Sequence, residues 1–231
     1  MSLYDQRMAT SIPPVGDRIR EERTRRSLSV RQLARDVGVS ASLISQIENG
    51  RSRPSVSTLY AITQALGISV EDVFDTATEA VATPASASPA AASATAAATL
   101  PSIAHALTAT GRPDLALGPL VRPDQREVLE LDSGVTWERL GRIAGAHVDF
   151  MLVTYAPGSS SSSTGQLMRH PGDEYGYLIS GALVVTLAFV DHELGPGDAI
   201  SFPSSTPHRY RNDGATPAVG IWAVIEPDFT D

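Results

Sequence analysis

Residues 27–55 restrict what this chain can fold into more than any other stretch, because four local signals there agree on one unit. Ser29 is a helix N-cap whose hydroxyl can accept a first-turn N–H, and Val30, Leu33, Ala34 and Val37 follow it at helical spacing. Gly38 ends that helix at a reversal that calls for positive φ. Ser40 caps a second helix with Leu43, Ile44 and Ile47 on its inner face, and Asn49-Gly50 stops it. Two short helices joined by a tight glycine-containing turn form a helix-turn-helix.

The outer face of the second helix carries Ala41, Ser42, Ser45 and Gln46, small and polar as suits a helix in a major groove. Residues 42–51, Ser-Leu-Ile-Ser-Gln-Ile-Glu-Asn-Gly-Arg, resemble the second-helix signature of the Cro/C1-type (Xre) helix-turn-helix family. That resemblance implies a five-helix domain binding double-stranded DNA, with a pseudo-palindromic operator read by a homodimer, since one small module buries too little surface for specific affinity. Ser42, Ser45 and Gln46 are then expected at base edges, Gln46 as a bidentate partner for adenine. Phosphate contacts are expected from Arg51, Arg53 and the N-terminal ends of helices two and three (Gln32, Ser40, Ala41), with Asn49 beside them.

A formal net charge of −8 argues against nucleic acid only until the chain is divided. Residues 1–75 hold ten arginines against nine carboxylates, so the acidity belongs to the second half. Arg18, Arg20, Arg23, Arg25 and Arg26 cluster on the first helix, and local charge near phosphates sets affinity where total charge does not.

In chain order, residues 1–14 read as a disordered lead-in and residues 15–75 as the helical domain, its first helix spanning 15–26. A fourth helix opens at Pro54-Ser55 and carries Val56, Leu59, Ile62 and Leu66; a fifth begins at Ser69 and reaches Phe74. Residues 76–120 read as a linker, flexible because Ala, Ser, Thr and Pro dominate its first part, with a short helix around 103–108 left open. From residue 121 to 231 short strands take over, expected at 127–131, 136–139, 148–155, 175–179, 182–189, 199–202, 208–211 and 218–225. The fold class is multidomain, α followed by all-β, the second half a barrel or double-sheet jelly roll. No apolar run of about 18 residues is present, so a membrane span is not expected. The N-terminus lacks an export pattern and there is no cysteine, so cytoplasmic residence is the expectation.

Two stretches of this half resemble the cupin family: residues 170–181, beginning His-Pro-Gly-Asp-Glu, and residues 197–212, which run from Gly-Asp-Ala-Ile to His208 and Asn212. The resemblance implies a double-stranded β-helix and a metal site of His170, Glu174 and His208, with Met168 where such proteins usually carry another histidine. A thioether is a poor ligand for the ions that imidazole and carboxylate favour, whereas two histidines and one carboxylate suit zinc or iron with open positions. The alternative is a metal-free, hydrogen-bonded trio. Strand alternation turns Gly176 and Leu178 inward with Glu174, and Tyr210 and Asn212 inward with His208, so these and Met168 are the expected effector pocket, Gly176 leaving room for a ligand atom. Tyr175 and Tyr177 are expected to pack on the other side, and the Ser/Thr run at 159–164 to be a mobile loop.

Together the two resemblances imply a DNA-binding transcriptional regulator, not an enzyme, whose barrel dimerises and binds a small-molecule effector. The same domain order and the spacing of His170, Glu174 and His208 also resemble the hydroxypropylphosphonate epoxidase family of mononuclear non-haem iron enzymes. The small polar, arginine-flanked reading face favours the regulator.

Overall fold

A computed structural model describes residues 15–74, 120–143 and 147–226. The expected lead-in, nearly all of the expected linker and its possible helix lie outside the described residues.

Among the described residues, five α-helices come first: α1 (Val15–Arg25), α2 (Val30–Val37), α3 (Ala41–Glu48), α4 (Val56–Leu66) and α5 (Val70–Phe74). Their ends are set by the residues that predict them. The Ser29 hydroxyl accepts the Gln32 N–H at 3.2 Å while the Gln32 side chain accepts the Ser29 N–H at 2.8 Å, a closed capping box. Gly38 stands at φ 77°, in the left-handed region that a side chain disfavours, and its N–H returns to the carbonyls of α2. Ser40 and Ser55 cap α3 and α4. Ile19, Leu33, Ile44, Ile47, Ile62 and Leu66 close one aliphatic core between them.

Nine strands follow among the described residues: β1 (Val128–Glu130), β2 (Val135–Gly141), β3 (Val148–Tyr155), β4 (Asp173–Ser180), β5 (Leu183–Leu187), β6 (Val190–Leu194), β7 (Ala199–Pro203), β8 (His208–Arg211) and β9 (Ala218–Ile225). They build an antiparallel six-stranded sheet in the order β1-β2-β3-β9-β4-β7 and a three-stranded sheet β6-β5-β8. One expected strand is corrected. Residues 182–189 are not one strand but the first arm of a hairpin, whose turn at Ala188-Phe189 has both residues at positive φ, 44° and 76°. Hairpin turns of that kind are signalled by Asn-Gly or Asp-Gly, and neither is present here, so the reversal leaves no mark in the sequence.

A second apolar cluster joins the two halves. Val56, Leu59 and Tyr60 of α4, with Val70, Val73 and Phe74 of α5, pack in one group with Trp137, Met151, Val153, Tyr155, Trp222 and other barrel residues. Helix α4 therefore has two buried faces: Ile62 and Leu66 belong to the helical core, Val56, Leu59 and Tyr60 to the barrel. Among the described residues no helix is long and apolar enough to cross a membrane.

Candidate functional site

On α3, Ser42 and Gln46 are exposed and Ala41 and Ser45 half-buried, while Ile44 and Ile47 face the core. Gln46 reaches back to the Ser42 hydroxyl at 3.4 Å, a contact easily exchanged for another. Ser40 spends its hydroxyl on the Leu43 N–H, and Gln32 is committed to the α2 cap. Asn49 donates to the Ser45 carbonyl at 2.6 Å and accepts from Arg20 at 2.7 Å, which fastens α3 to α1. Arg51 is exposed, whereas Arg53 pairs with Glu130 of β1 at 2.5 Å.

The arginine cluster on α1 does not form the free positive face that the charge pattern suggests. Arg18 and Arg25 both engage the buried Glu22, Arg23 grips the buried Glu48 with two contacts of 2.5 and 2.8 Å, and Arg26 donates to the Gly67 carbonyl. A buried carboxylate without a partner is costly, and α1 supplies partners at helical spacing. Arg31, Arg35 and Arg51 are exposed instead.

Inside the barrel, Glu174 stands on β4, His208 at the start of β8 and His170 just before β4, so one carboxylate of the large sheet meets an imidazole of the small one. Glu174 Oε1 is 2.9 Å from His170 Nε2 and 3.0 Å from His208 Nε2, and all three side chains are buried. The other ring nitrogens face backbone carbonyls: His170 Nδ1 lies 3.1 Å from Pro171 O and His208 Nδ1 2.8 Å from Thr206 O. A carbonyl accepts only, so each Nδ1 carries a proton, and a ring with no second proton then turns an Nε2 lone pair toward Glu174. Three buried acceptor atoms thus converge without a hydrogen-bond donor among them. That arrangement is satisfied by a cation at its centre or by a proton taken up on an imidazole. The three ligand atoms lie within 4.8 Å of one another, and the donor set matches zinc or ferrous iron.

Burial pushes the Glu174 carboxyl up, but hydrogen bonds and charge from His170 and His208, available once an imidazole takes up a proton, outweigh burial and hold it at about 2. Its second oxygen accepts the Tyr210 hydroxyl, which in turn accepts the Trp222 indole N–H at 3.1 Å. Burial foremost raises the Tyr210 hydroxyl well above its ordinary range, so it remains a donor to the carboxylate.

The cavity beside Glu174 is lined by Met168 and Tyr210, by Trp137, Met151, Tyr155 and Trp222 of the barrel, and by Val56 and Tyr60 of α4. Three expected lining residues do other work. A Cβ on Gly176 would come within 2.5 Å of the Trp222 ring, so the space it leaves is already filled by indole. Leu178 is sealed in the core. Asn212 points its amide into the adjoining turn, donating to the Tyr155 and Thr216 carbonyls and accepting from Gly214. Sequence reasoning misses Val56 and Tyr60, for which no local signal exists. The inward faces of β3 and β9 are recoverable from strand alternation only once one inward residue is known.

Two further expectations change. Tyr175 and Tyr177 are not packed but 50% and 48% exposed, part of an outer sheet face that also shows Phe150, Ile179 and Ile225. The serine run is not a loose loop: Ser159, Ser161 and Ser162 are buried, and Ser161 exchanges hydrogen bonds with Tyr210.

Residues 19–73 match the family model described as helix-turn-helix, and residues 151–224 match the one described as cupin domain. The chain is 24% identical to the HTH-type transcriptional regulator PuuR of Escherichia coli (strain K12) over 212 residues, 91% of each chain. Over 60 residues, 26% of this chain and 56% of the other, it is 43% identical to a transcriptional regulator in the ATPase CF(0) region of Rhodospirillum rubrum. An HTH_3 family transcriptional regulator from Vibrio cholerae shares the fold, with a TM-score of 0.57 and 22% identity over 93% of this chain and 96% of that one.

Proposed function

We propose that this chain, which joins a helix-turn-helix domain of the Cro/C1 (Xre) type to a cupin domain, is a DNA-binding transcriptional regulator. In this reading residues 15–75 are the reading head and residues 121–231 the sensor, working as a homodimer in the cytoplasm. The observation that carries it is the outer face of α3: Ser42 and Gln46 are exposed, make only a loose mutual contact, and serve no packing purpose. Gln46 and Ser42 address base edges, while Arg51 and the N-terminal ends of α2 and α3 sit at phosphates.

The dimer is supported by the outer face of the large sheet, where Phe150, Tyr175, Tyr177, Ile179 and Ile225 leave apolar surface in water. Metal binding is supported by the three convergent acceptors: His170, Glu174 and His208 would hold one divalent ion, zinc or iron, which would supply a Lewis-acidic anchor for an effector. The regulator is preferred over an iron enzyme because the exposed Ser42 and Gln46 face of α3 has no role in packing, and because the relative matched over 91% of each chain is a transcriptional regulator.

Fluorescence anisotropy with fragments spanning the region upstream of its own gene tests this. Sequence-selective, salt-dependent binding is expected, and its absence overturns the reading. Gln46→Ala should cost about 1–3 kcal/mol and relax selectivity at one position of each half-site. Arg51→Ala should weaken binding evenly across sequences and lower the salt slope by about 1.

A further inference from the structure

The barrel site is closed by a side chain of the reading domain. The Tyr60 ring of α4 lies flat on the His170 imidazole, centroids 3.8 Å apart and planes 2° from parallel, and its edge meets Trp137 at 6.0 Å. Tyr60 is itself 4% exposed, and Val56, one turn before it, lines the same cavity. Around the ring, α4 is fastened to the barrel by backbone and side chain. The Ser57 N–H donates to the Ser161 carbonyl at 3.0 Å, the Asp132 N–H to the Pro54 carbonyl at 2.9 Å, and Gln64 reaches the Arg169 carbonyl at 3.4 Å, next to His170. With the ring in place the space beside Glu174 is about 20 Å³. A water or a bare ion fits; ligand sites for small molecules run to about 300–1,000 Å³.

We propose that Tyr60 is the lid of the barrel site, so that a bound effector takes the place of its ring and releases α4 from the barrel. The inference rests on the reading of the barrel as the effector site and supplies its regulation. The slot that Tyr60 vacates is flat, faced by the His170 ring and edged by Trp137, and it adjoins the cavity that Tyr155, Trp222 and Glu174 line. Its occupant is therefore a planar, ring-sized, mostly apolar molecule. Because α4 also carries Ile62 and Leu66 of the helical core, expelling Tyr60 moves the reading head as a unit. Binding at the site and docking of the head thus oppose each other, and by linkage each weakens the other to the same degree.

The test uses the full chain with Arg53→Cys and Glu130→Cys, an exposed pair in contact across the junction, in a protein that has no other cysteine. A short bismaleimide links the two thiols when α4 is docked. The probe ligand is 4-methylphenol, the isolated tyrosine side chain. It should slow linking at least fivefold at saturation. Tyr60→Ala should slow linking at least fivefold without ligand and bind 4-methylphenol at least tenfold more tightly, read by the fluorescence of Trp137 and Trp222. Tyr60→Phe, which keeps the ring, should link at the parental rate, and Tyr60→Leu replaces the alanine variant if that one fails to fold. Linking that ignores both the ligand and the loss of the ring overturns the proposal, as does failure of the ring-deleted protein to bind 4-methylphenol. No DNA enters these measurements, so a chain that passes them yet binds no operator loses the regulator reading and keeps the lid.

Discussion

The core of the helical domain is built from Ile19, Leu33, Ala34, Ile44, Ile47, Ile62 and Leu66, aliphatic throughout, while the polar groups at its helix ends are capped. The barrel interior is aromatic where the helical core is aliphatic, and at its centre stand a carboxylate and two imidazoles with three acceptor atoms facing one another. The first interior is a scaffold, and the carboxylates buried beside it, Glu22 and Glu48, are held by arginines. The second leaves buried polar atoms facing one another, an arrangement that the proposed binding role would use. In the proposed reading, output belongs to the first half and reception to the second, and α4 contributes to both interiors.

Substitution in the two interiors should separate them. The largest effect is expected from Leu33→Ala, which empties a fully buried site and should cost about 2–5 kcal/mol of stability. Both tryptophans lie in the barrel, so their fluorescence follows that half while far-ultraviolet circular dichroism includes the helices. The two signals should fall together in denaturant because α4 spans both cores; separate midpoints would mean that the halves unfold independently.

A much smaller change is expected from Glu174→Gln. The amide can still accept from Tyr210 and now donates an N–H to one imidazole, so stability should not fall by more than about 1 kcal/mol. Zinc affinity measured by calorimetry should nevertheless drop at least tenfold, an order-of-magnitude expectation for losing one charged ligand. A variant that unfolds, or that keeps its zinc affinity, would erase the distinction between a packing interior and a binding one.

Smallest of all is a pH effect at the rim. Asp191 of β6 is drawn down to about 2, first by its hydrogen bond with Arg211 of β8 and then by that with Thr186 of β5. A carboxyl lowered on folding adds stability above its unfolded value near 3.8, and this is lost as pH falls through about 2. Asp191 is fully exposed, so solvent screening keeps the contribution small. Thermal midpoints of Asp191→Asn and the parent should differ slightly at pH 6 and converge toward pH 2; a gap that widens in acid would contradict the pairing.

Much of this is legible in the sequence. Ser29, Gly38, Ser40 and Ser55 act over one helical turn, so their roles survive without knowledge of the rest of the chain. The inward direction of Glu174 follows from the two-residue period of a strand, and Glu174 and His208 indeed meet. Alternation tells which face a residue is on but not what fills the space there. Gly176 is inward, yet Trp222 from the neighbouring strand occupies its room. The hairpin at Ala188-Phe189 was illegible because neither residue advertises positive φ.

What the sequence determined alone is therefore local and periodic: the helix-turn-helix, the helix caps, the strand-rich second half and the identity of His170, Glu174 and His208. The tertiary structure decided the rest. It spends the α1 arginines on Glu22 and Glu48 and pairs Arg53 with Glu130, because buried or neighbouring carboxylates compete for cations that a charge count treats as free. It also lays Tyr60 on His170 across 110 positions of chain. Contacts at that separation arise from packing two surfaces, each ordinary when read alone, and no spacing rule within one segment can announce them.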